Sequence, residues 1–169
     1  MAKTIREFLE VQRKLDEKIY KDKNLGQVYS NIDVNTMTVT SAVTELCEFI
    51  NEIEFFKVWK DNKRNDKDKQ LEELADFMHF CLSIMNINGG KPKIGATFET
   101  FFNLNSNNDA NYLNEMFIGA LSSLMSNNPY RALGYAFNIA KGIGITYQEI
   151  EDAYFKKHEK NYERLNNGY

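Results

Sequence analysis

The sequence predicts an all-α fold, a helical bundle of five to seven helices. Apolar residues recur at spacings of three and four along most of the chain, which is the period of a helix that buries one face. Thr4 with Glu7 fits the capping box, in which two side chains bond to otherwise unpaired amides at a helix start. Thr146 with Glu149 repeats this pattern near the C-terminus. Strand-like alternation and internal repeats are not evident, which favours the all-α class.

The helices can be placed in chain order from periodicity and turn residues. Asn128 before Pro129 fits an N-cap followed by the first helical position. Proline is tolerated there because the N–H group that it lacks would have no partner within the helix. Gly142 and Gly144 then favour the end of that helix. The predicted helices cover residues 4–21, 40–59, 67–88, 109–127, 129–142 and 146–166, with a short helix near 97–103.

We expect one domain, residues 1–169, because a chain of this length can bury a large core. Gly89-Gly90-Lys91-Pro92 ends the third predicted helix, and an Asn-rich stretch follows at 103–111. The sequence therefore predicts a core of residues 1–88 and 129–169 and a helical insertion or lid at 89–128.

The composition argues against several classes of function. A formal net charge of −3 argues against broad binding to nucleic acid. The chain contains no run of 18 apolar residues and its N-terminus lacks an apolar leader, so neither membrane spanning nor secretion is expected. Cys47 and Cys81 lack the spacing of a zinc or redox motif, which predicts reduced thiols in the core and a cytoplasmic protein.

Two pairs of carboxylates carry the main functional signal. Each pair spans one turn of a predicted helix and, at about 100° per residue, shares the stripe that holds apolar side chains. Ionised carboxylates that face the interior of a bundle lose hydration and repel one another unless they protonate or meet a cation. Hard divalent cations such as Mg²⁺ prefer oxygen ligands, so the pattern favours a metal site. The four residues are Glu45, Glu48, Glu73 and Asp76.

Orientation, not spacing, distinguishes these two pairs. Glu7 and Glu10 have the same spacing, as do Glu149 and Asp152. Both of these pairs project from polar helix faces, so we interpret them as solvated surface.

Other polar residues lie within apolar stripes. Gln12 lies in the stripe of the first helix, and its amide could either recognise a pyrimidine edge or bond to the backbone. Lys157, Asn161 and Arg164 recur on the inner side of the last helix, with Lys160 nearer the solvent. These cations would either neutralise the acids of the bundle or bind phosphate.

Two ring-bearing residues lie close to the carboxylates in sequence. His79 follows Asp76 by three residues and would reach the same cavity. Trp59 is the only tryptophan and lies one turn beyond the acid stripe, where it would serve as a stacking wall or pack in the core.

These motifs resemble the all-α nucleoside triphosphate pyrophosphatases and, within them, the dimeric dUTPases. That superfamily carries an ExxE motif, a gap that residues 49–72 would fill here, and an ExxD motif. The dimeric dUTPases add an early Leu-Gln helix and a C-terminal Lys/Asn/Arg motif. Departures are Asp16 and His158, where family members often have Asn. The matching residues are Val11-Gln12, Glu45-Leu-Cys-Glu48, Phe56-Lys57-Val58-Trp59-Lys60, Glu73-Leu-Ala-Asp76, His79-Phe80, Lys157, Asn161, Arg164 and Gly168-Tyr169.

The resemblance implies a role for each matched residue. The four carboxylates of the two pairs would bind Mg²⁺, and Glu45 or Glu48 would take a proton from the attacking water. The phosphate-binding residues are Lys157, Asn161 and Arg164, assisted by Lys60 or Lys160, and the base and sugar contacts are Gln12, Trp59 and His79.

The resemblance also implies the reaction and its setting. A water activated by Mg²⁺ would attack the triphosphate of dUTP and release dUMP and diphosphate. The resemblance to the dimeric dUTPases implies a homodimer. The short Asn/Lys-rich form is similar to the bacteriophage branch, which implies the host cytoplasm and makes 89–128 a surface for a regulatory protein such as a repressor. Two alternatives stay open: a broader MazG-like dNTP pyrophosphatase, and a non-catalytic helical regulatory protein.

Overall fold

The computed structural model describes residues 2–28, 31–90, 92, 94–103 and 105–168, and the side chains of 27–28, 31–33 and 103 lie outside that description. Tyr169, which ends the predicted C-terminal motif, also lies outside it. The all-α prediction is confirmed, since the described residues form helices and one isolated antiparallel bridge between Thr4 and Thr97. The elements are α1 (Ile5–Asp22), α2 (Leu25–Val28), α3 (Asn31–Ile53), α4 (Lys67–Ile87), a 3-10 helix (Phe98–Asn103), α5 (Ala110–Met125), α6 (Pro129–Gly142) and α7 (Tyr147–Asn166).

Helix starts follow the predicted capping chemistry. The N–H of Thr4 donates to the Glu7 carboxylate at 2.7 Å, and the Glu7 N–H donates to the Thr4 hydroxyl at 3.3 Å. Thr146 and Glu149 form the same reciprocal pair at the start of α7. Asn128 caps α6 ahead of Pro129, as predicted. These side chains satisfy amides that the helix itself leaves unpaired.

Helix α4 lies at the centre of the bundle. It packs against α1, α3, α6 and α7, so it buries side chains around most of its circumference. Leu74, Phe77 and Met78 are fully buried. A helix surrounded in this way offers few solvated positions, and a carboxylate on it needs a partner. The predicted Glu73/Asp76 pair lies on this helix.

The prediction for the second helix was wrong at both ends. The predicted span was 40–59, whereas α3 runs from Asn31 to Ile53. Its N-terminal half is rich in threonine and serine. Their hydroxyls donate to carbonyls one turn back, so these polar groups find hydrogen-bond partners within the helix. The helix ends at Glu54, whose positive φ of 57° breaks the helical path. Trp59 therefore lies in a loop rather than on the acid-bearing stripe.

The segment 89–128 shares the core of the rest of the chain. Phe98, Leu113 and Leu124 are buried within the common apolar cluster. Helix α5 packs against α6 and α3. Its division from the core as an insertion or lid stays a prediction.

The two cysteines differ in environment. Cys81 is buried in the core, as predicted, but Cys47 is exposed, and the prediction that it packs in the core was wrong. On α3 the buried neighbour is Leu46, and a step of about 100° turns the next side chain away from it. Within the part of the chain that the structure describes, no helix combines the length and hydropathy needed to cross a membrane.

Candidate functional site

Three carboxylates converge where α3 packs on α4. One oxygen from each of Glu45, Glu73 and Asp76 lies within 4.8 Å of the others. Glu73 is 8 % exposed, and the other two are half-buried. Burial, followed by the charges of Asp76 and Glu48, raises the pKa of Glu45 to about 7. Burial also raises the pKa of Asp76. The cluster is therefore electrostatically costly when all three groups are ionised.

The donor set of this cluster fits a hard divalent cation. All three groups offer carboxylate oxygen, the ligand that Mg²⁺ prefers. A cation among them would neutralise the repulsion that raises the pKa of Glu45. Glu45, Glu73 and Asp76 could thus hold one divalent ion, with water or a phosphate oxygen as further ligands.

Glu48, the fourth predicted carboxylate, lies outside this cluster. Its side chain is exposed, so the prediction that it faces the apolar stripe was wrong for the isolated chain. The buried face of α3 is formed by Ala42, Leu46, Phe49, Ile50 and Ile53. Glu45 lies at the border of that face, and Glu48 lies roughly 60° farther round the helix. It is close enough to the cluster for its charge to raise the pKa of Glu45.

Lys157 reaches the cluster from α7. Its ammonium lies 2.5 Å from an Asp76 oxygen and 3.0 Å from a Glu72 oxygen, and its side chain is only 9 % exposed. Burial opposes its charge, but the ion pairs with Asp76 and Glu72 outweigh burial and raise its pKa. The inward cation that the sequence predicted is therefore paired with acids of the bundle.

The other predicted phosphate-binding residues lie on α7 and in the loop after α3. Lys160 bonds to Glu72 at 3.2 Å and is about half exposed. Asn161 and Arg164 are half-buried farther along the same helix. Lys60 belongs to the loop after α3 and bonds to Glu54 at 2.5 Å.

Gln12 lies at the centre of a buried polar network. It is 2 % exposed. Its amide oxygen accepts from the Tyr154 hydroxyl at 3.0 Å, and its nitrogen donates to Asp16 at 2.8 Å and to Ser83 at 3.1 Å. Ser83 also donates to Asp16 at 2.8 Å. Of the alternatives left by the sequence, neither a backbone bond nor a free amide is observed, because side chains occupy both ends of the group.

His79 is buried beside the same network. Its Nδ1 lies 2.8 Å from the Ala75 carbonyl, and its ring stacks on Tyr154 at 4.3 Å between centroids. Burial lowers its pKa to about 3, so the ring is neutral at physiological pH. Its Nε2 is a buried polar atom without a hydrogen-bond partner among the described residues. Such an atom is a candidate for a ligand contact.

The sequence matches a known protein family over nearly its whole length. The model of the dUTPase family matches residues 4–169, nearly the whole chain. The chain belongs to the dUTPase family. Membership supports a hydrolase that acts as a dUTP diphosphatase, and the family typically uses a divalent metal. No curated protein sequence is significantly similar to this chain.

In this member of the dUTPase family, the loop after α3 presents the remaining predicted residue. Trp59 is 74 % exposed and its neighbour Val58 is 75 % exposed. Of the two alternatives for Trp59, stacking on a ligand and core packing, this exposure argues against core packing within this chain. Whether it meets a base stays a prediction.

Two acidic residues bind the cations near the carboxylate cluster and in the loop after α3, and no sequence motif predicts either of them. Glu72 bonds to Lys157, Lys160 and Lys69, and these bonds hold its pKa at about 2. Glu54 forms ion pairs with Lys57 and Lys60 of the loop after α3. Neither residue has the spacing of a motif, and only the cations opposite them reveal their roles. The adjacent pair Glu72-Glu73 on a helix was the one available signal.

Proposed function

We propose that this protein is a Mg²⁺-dependent dUTP diphosphatase that converts dUTP and water to dUMP and diphosphate. The observation that carries the proposal is the convergence of Glu45, Glu73 and Asp76 from two helices, in a chain that matches the dUTPase family. Carboxylates are rarely brought together in a half-buried space unless a cation or a proton is shared among them.

Glu45, Glu73 and Asp76 would hold the Mg²⁺ ion. When bound, Mg²⁺ neutralises triphosphate charge and lowers the pKa of water, which is the chemistry that phosphoryl transfer requires. Glu48 supports a separate role, because it is exposed beside the cluster and remains outside the donor set. We assign it as the acceptor of the proton that the attacking water loses. Its position on the solvent side would let that proton leave to bulk water.

Lys157 would bind phosphate oxygens next to the metal ligands. Its ammonium has three donors, and it already lies beside Asp76. Lys160, one turn away and half exposed, would widen this cationic edge, and Asn161 and Arg164 would extend it along α7. Charge that develops on the phosphate oxygens would thus meet donors that are held in place before the reaction.

The base and sugar would lie beside His79 and Trp59. The free Nε2 of His79 supports a hydrogen bond to the ligand, and the exposed ring of Trp59 supports stacking. Gln12 would act through Tyr154, because its own amide is already bonded and its partner stacks on His79. A ligand that left the buried His79 nitrogen unpaired would bind less well, which is a source of selectivity.

The proposal includes a homodimer and a protein-binding surface on 89–128, in the cytoplasm of a phage-infected cell. Ile118 and Met125 on α5 are 54 % and 76 % exposed, which supports a contact with another chain. A sedimentation mass near the 19.7 kDa of one chain would contradict the dimer.

Product analysis tests the proposal directly. The protein is incubated with dUTP and Mg²⁺, and the released phosphate species is identified. Diphosphate with dUMP is expected, whereas orthophosphate or no product would contradict the reaction. A panel of dUTP, dTTP, dCTP and UTP decides against the broader MazG-like alternative if dUTP is strongly preferred. Asp76→Asn is the inactive control, since it removes one of the proposed metal ligands.

The non-catalytic alternative is favoured by the ion pairs of Lys157 with Asp76 and Glu72 and by that of Lys69 with Glu73. Under that alternative the acids are already neutralised and need no metal. Mg²⁺ with a non-hydrolysable dUTP analogue should then leave the melting temperature unchanged. The proposal predicts that it rises, because a ligand that binds only the folded state stabilises it.

A further inference from the structure

A loop joins the two helices that carry the carboxylate cluster. It covers residues 54–66, between the end of α3 and the start of α4. Glu45 lies eight residues before the end of α3, which is about 12 Å along the helix axis. At the other end, Gln70 of α4 donates to the Glu52 carbonyl at 3.2 Å and holds the two helices together. The loop therefore lies at one end of the helix pair that carries the cluster, at a distance that a nucleoside triphosphate could span.

Glu54 is the first residue of this loop, and it is 1 % exposed. Its carboxylate accepts from the Lys57 ammonium at 2.8 Å and from the Lys60 ammonium at 2.5 Å. It also accepts from the backbone N–H of Arg64 at 2.9 Å, and the Arg64 Nε lies 3.5 Å away. One buried carboxylate thus connects the beginning, the middle and the far end of the loop.

The backbone conformation of Glu54 is one that its side-chain contacts help to stabilise. Its φ of 57° lies in the left-handed region, which glycine adopts at helix ends without a steric cost. For a glutamate this conformation is energetically unfavourable, and the contacts of its carboxylate offset that strain. The same contacts, led by those from Lys57 and Lys60, hold the pKa of Glu54 at about 2.

The tied loop presents an aromatic ring to solvent. Val58 and Trp59 lie between the two lysines that Glu54 binds, and both are about three-quarters exposed. The Lys60 ammonium has three N–H donors and uses one of them for Glu54, and its side chain is 38 % exposed. It can therefore keep this contact and still donate to a further anion.

We propose that Glu54 is a positioning residue that holds loop 54–66 in the conformation in which Trp59 and Lys60 meet the nucleotide. This inference rests on the proposed function and adds a residue that does not itself touch the substrate. Without the carboxylate, the loop would sample several conformations. The apparent affinity for dUTP then falls in proportion to the fraction of molecules with the loop in place.

The single tryptophan gives this inference a test that does not depend on catalysis. Trp59 is the only tryptophan in the chain, so its fluorescence anisotropy decay reports on the loop alone. In Glu54→Gln we expect the amplitude of the fast local component to rise about twofold or more. Asp61→Asn is the matched control, since it makes the same acid-to-amide change at an exposed position of the same loop, and its decay should equal that of the unmodified protein.

Kinetics on the same variants complete the test. In Glu54→Gln, KM for dUTP should rise about tenfold while kcat stays within about twofold. Glu54→Gly is the second variant, because glycine accepts the left-handed backbone but cannot bind the cations, and it should show the same split if the carboxylate is what matters. Unchanged anisotropy and KM in active, folded variants would overturn the inference. Failure of the unmodified protein to hydrolyse dUTP would instead overturn the proposed function.

Discussion

The ammonium of Lys157 lies 2.5 Å from a carboxylate oxygen of Asp76, deep between α7 and α4. The contact joins the C-terminal helix to the helix that carries two of the three clustered acids. It gives Asp76 a cationic partner, and an Asp76 oxygen also lies within 4.8 Å of oxygens of Glu45 and Glu73. The same carboxylate is thus both a member of the acid cluster and the ion-pair partner of the cation on α7. Under the proposed function, one short helix segment would contact both the metal ion and the phosphate.

Replacement of Lys157 by methionine tests this anchor. The variant leaves Asp76 and Glu72 without their buried cation, and we expect the free energy of unfolding to fall by about 1–3 kcal/mol. The KM for dUTP should also rise, because the proposed phosphate contact is lost. Lys160→Met is the control, since that side chain is 49 % exposed and surface pairs contribute below about 1 kcal/mol. Urea unfolding of both variants checks the difference, and equal losses would contradict a buried anchor.

The buried carboxyl of Asp16 should make the stability of the folded protein fall as the pH rises. Burial raises its pKa to about 6, above the ordinary value of 3.8. Its stabilising contribution is therefore present below pH 3.8 and lost as the pH rises through about 6. Asp16→Asn keeps an oxygen that accepts from Gln12 and Ser83 but removes the charge. The variant should be more stable than the unmodified protein by about 1–3 kcal/mol at pH 8. Unfolding at pH 4 should show little difference, and Asp152→Asn, at an exposed position, should show none at either pH.

His79 predicts a pH effect of the opposite sign. Burial lowers its pKa to about 3, from an ordinary value of 6.5. A buried neutral imidazole is therefore stable above pH 6.5, and its contribution is lost as the pH falls toward 3. Relative to His79→Phe, the unmodified protein should lose about 1.4 kcal/mol of unfolding free energy per pH unit below 6.5. Parallel stability curves for the two proteins would show that His79 is not neutral in the folded state.

Local sequence signals predicted much of this fold. The capping boxes at Thr4 and Thr146 depend on residues three positions apart, so they are readable from the sequence alone. The bounds of α6, Pro129–Gly142, follow from a proline and a glycine at its ends. The inward orientation of Glu73 and Asp76 can be predicted because apolar residues such as Phe77 and Ile84 accompany them along α4. In each of these cases the deciding interaction is local.

The remaining features depend on partners distant in sequence. Gln12 bonds to Tyr154, 142 residues away, and no local pattern predicts that choice. The end of α3 is set by Glu54, whose partners extend ten residues onward to Arg64. The predicted inward orientation of Glu48 depends on a helix that continues to Trp59, because Phe56 and Trp59 then extend the apolar stripe on the side of the acids. Once the helix ends at Ile53, the buried face centres on other residues and Glu48 falls outside it.

Gly142 tests how tightly the segment 89–128 is joined to the core. A Cβ at Gly142 would lie 2.3 Å from the carbonyl oxygen of Asn107, a backbone atom that cannot rotate away. Gly142→Ala should therefore destabilise the protein by about 1–3 kcal/mol despite the better helix propensity of alanine. Thermal unfolding checks this. Gly144→Ala is a poor control because Gly144 has a φ of 87°, so an exposed helical position such as Ser122→Ala serves instead.

Glu45 and Glu48 should separate metal binding from proton transfer. Glu45 belongs to the cluster of three oxygens, so Glu45→Gln should weaken Mn²⁺ binding about tenfold or more, as measured by calorimetry without nucleotide. Glu48 is exposed outside that set, so Glu48→Gln should bind Mn²⁺ nearly as well as the unmodified protein. Its kcat should nonetheless fall about 100-fold, because a proton acceptor contributes on that scale. Full activity in Glu48→Gln would return the role of base to Glu45, and equal loss of Mn²⁺ binding in both variants would make Glu48 a metal ligand.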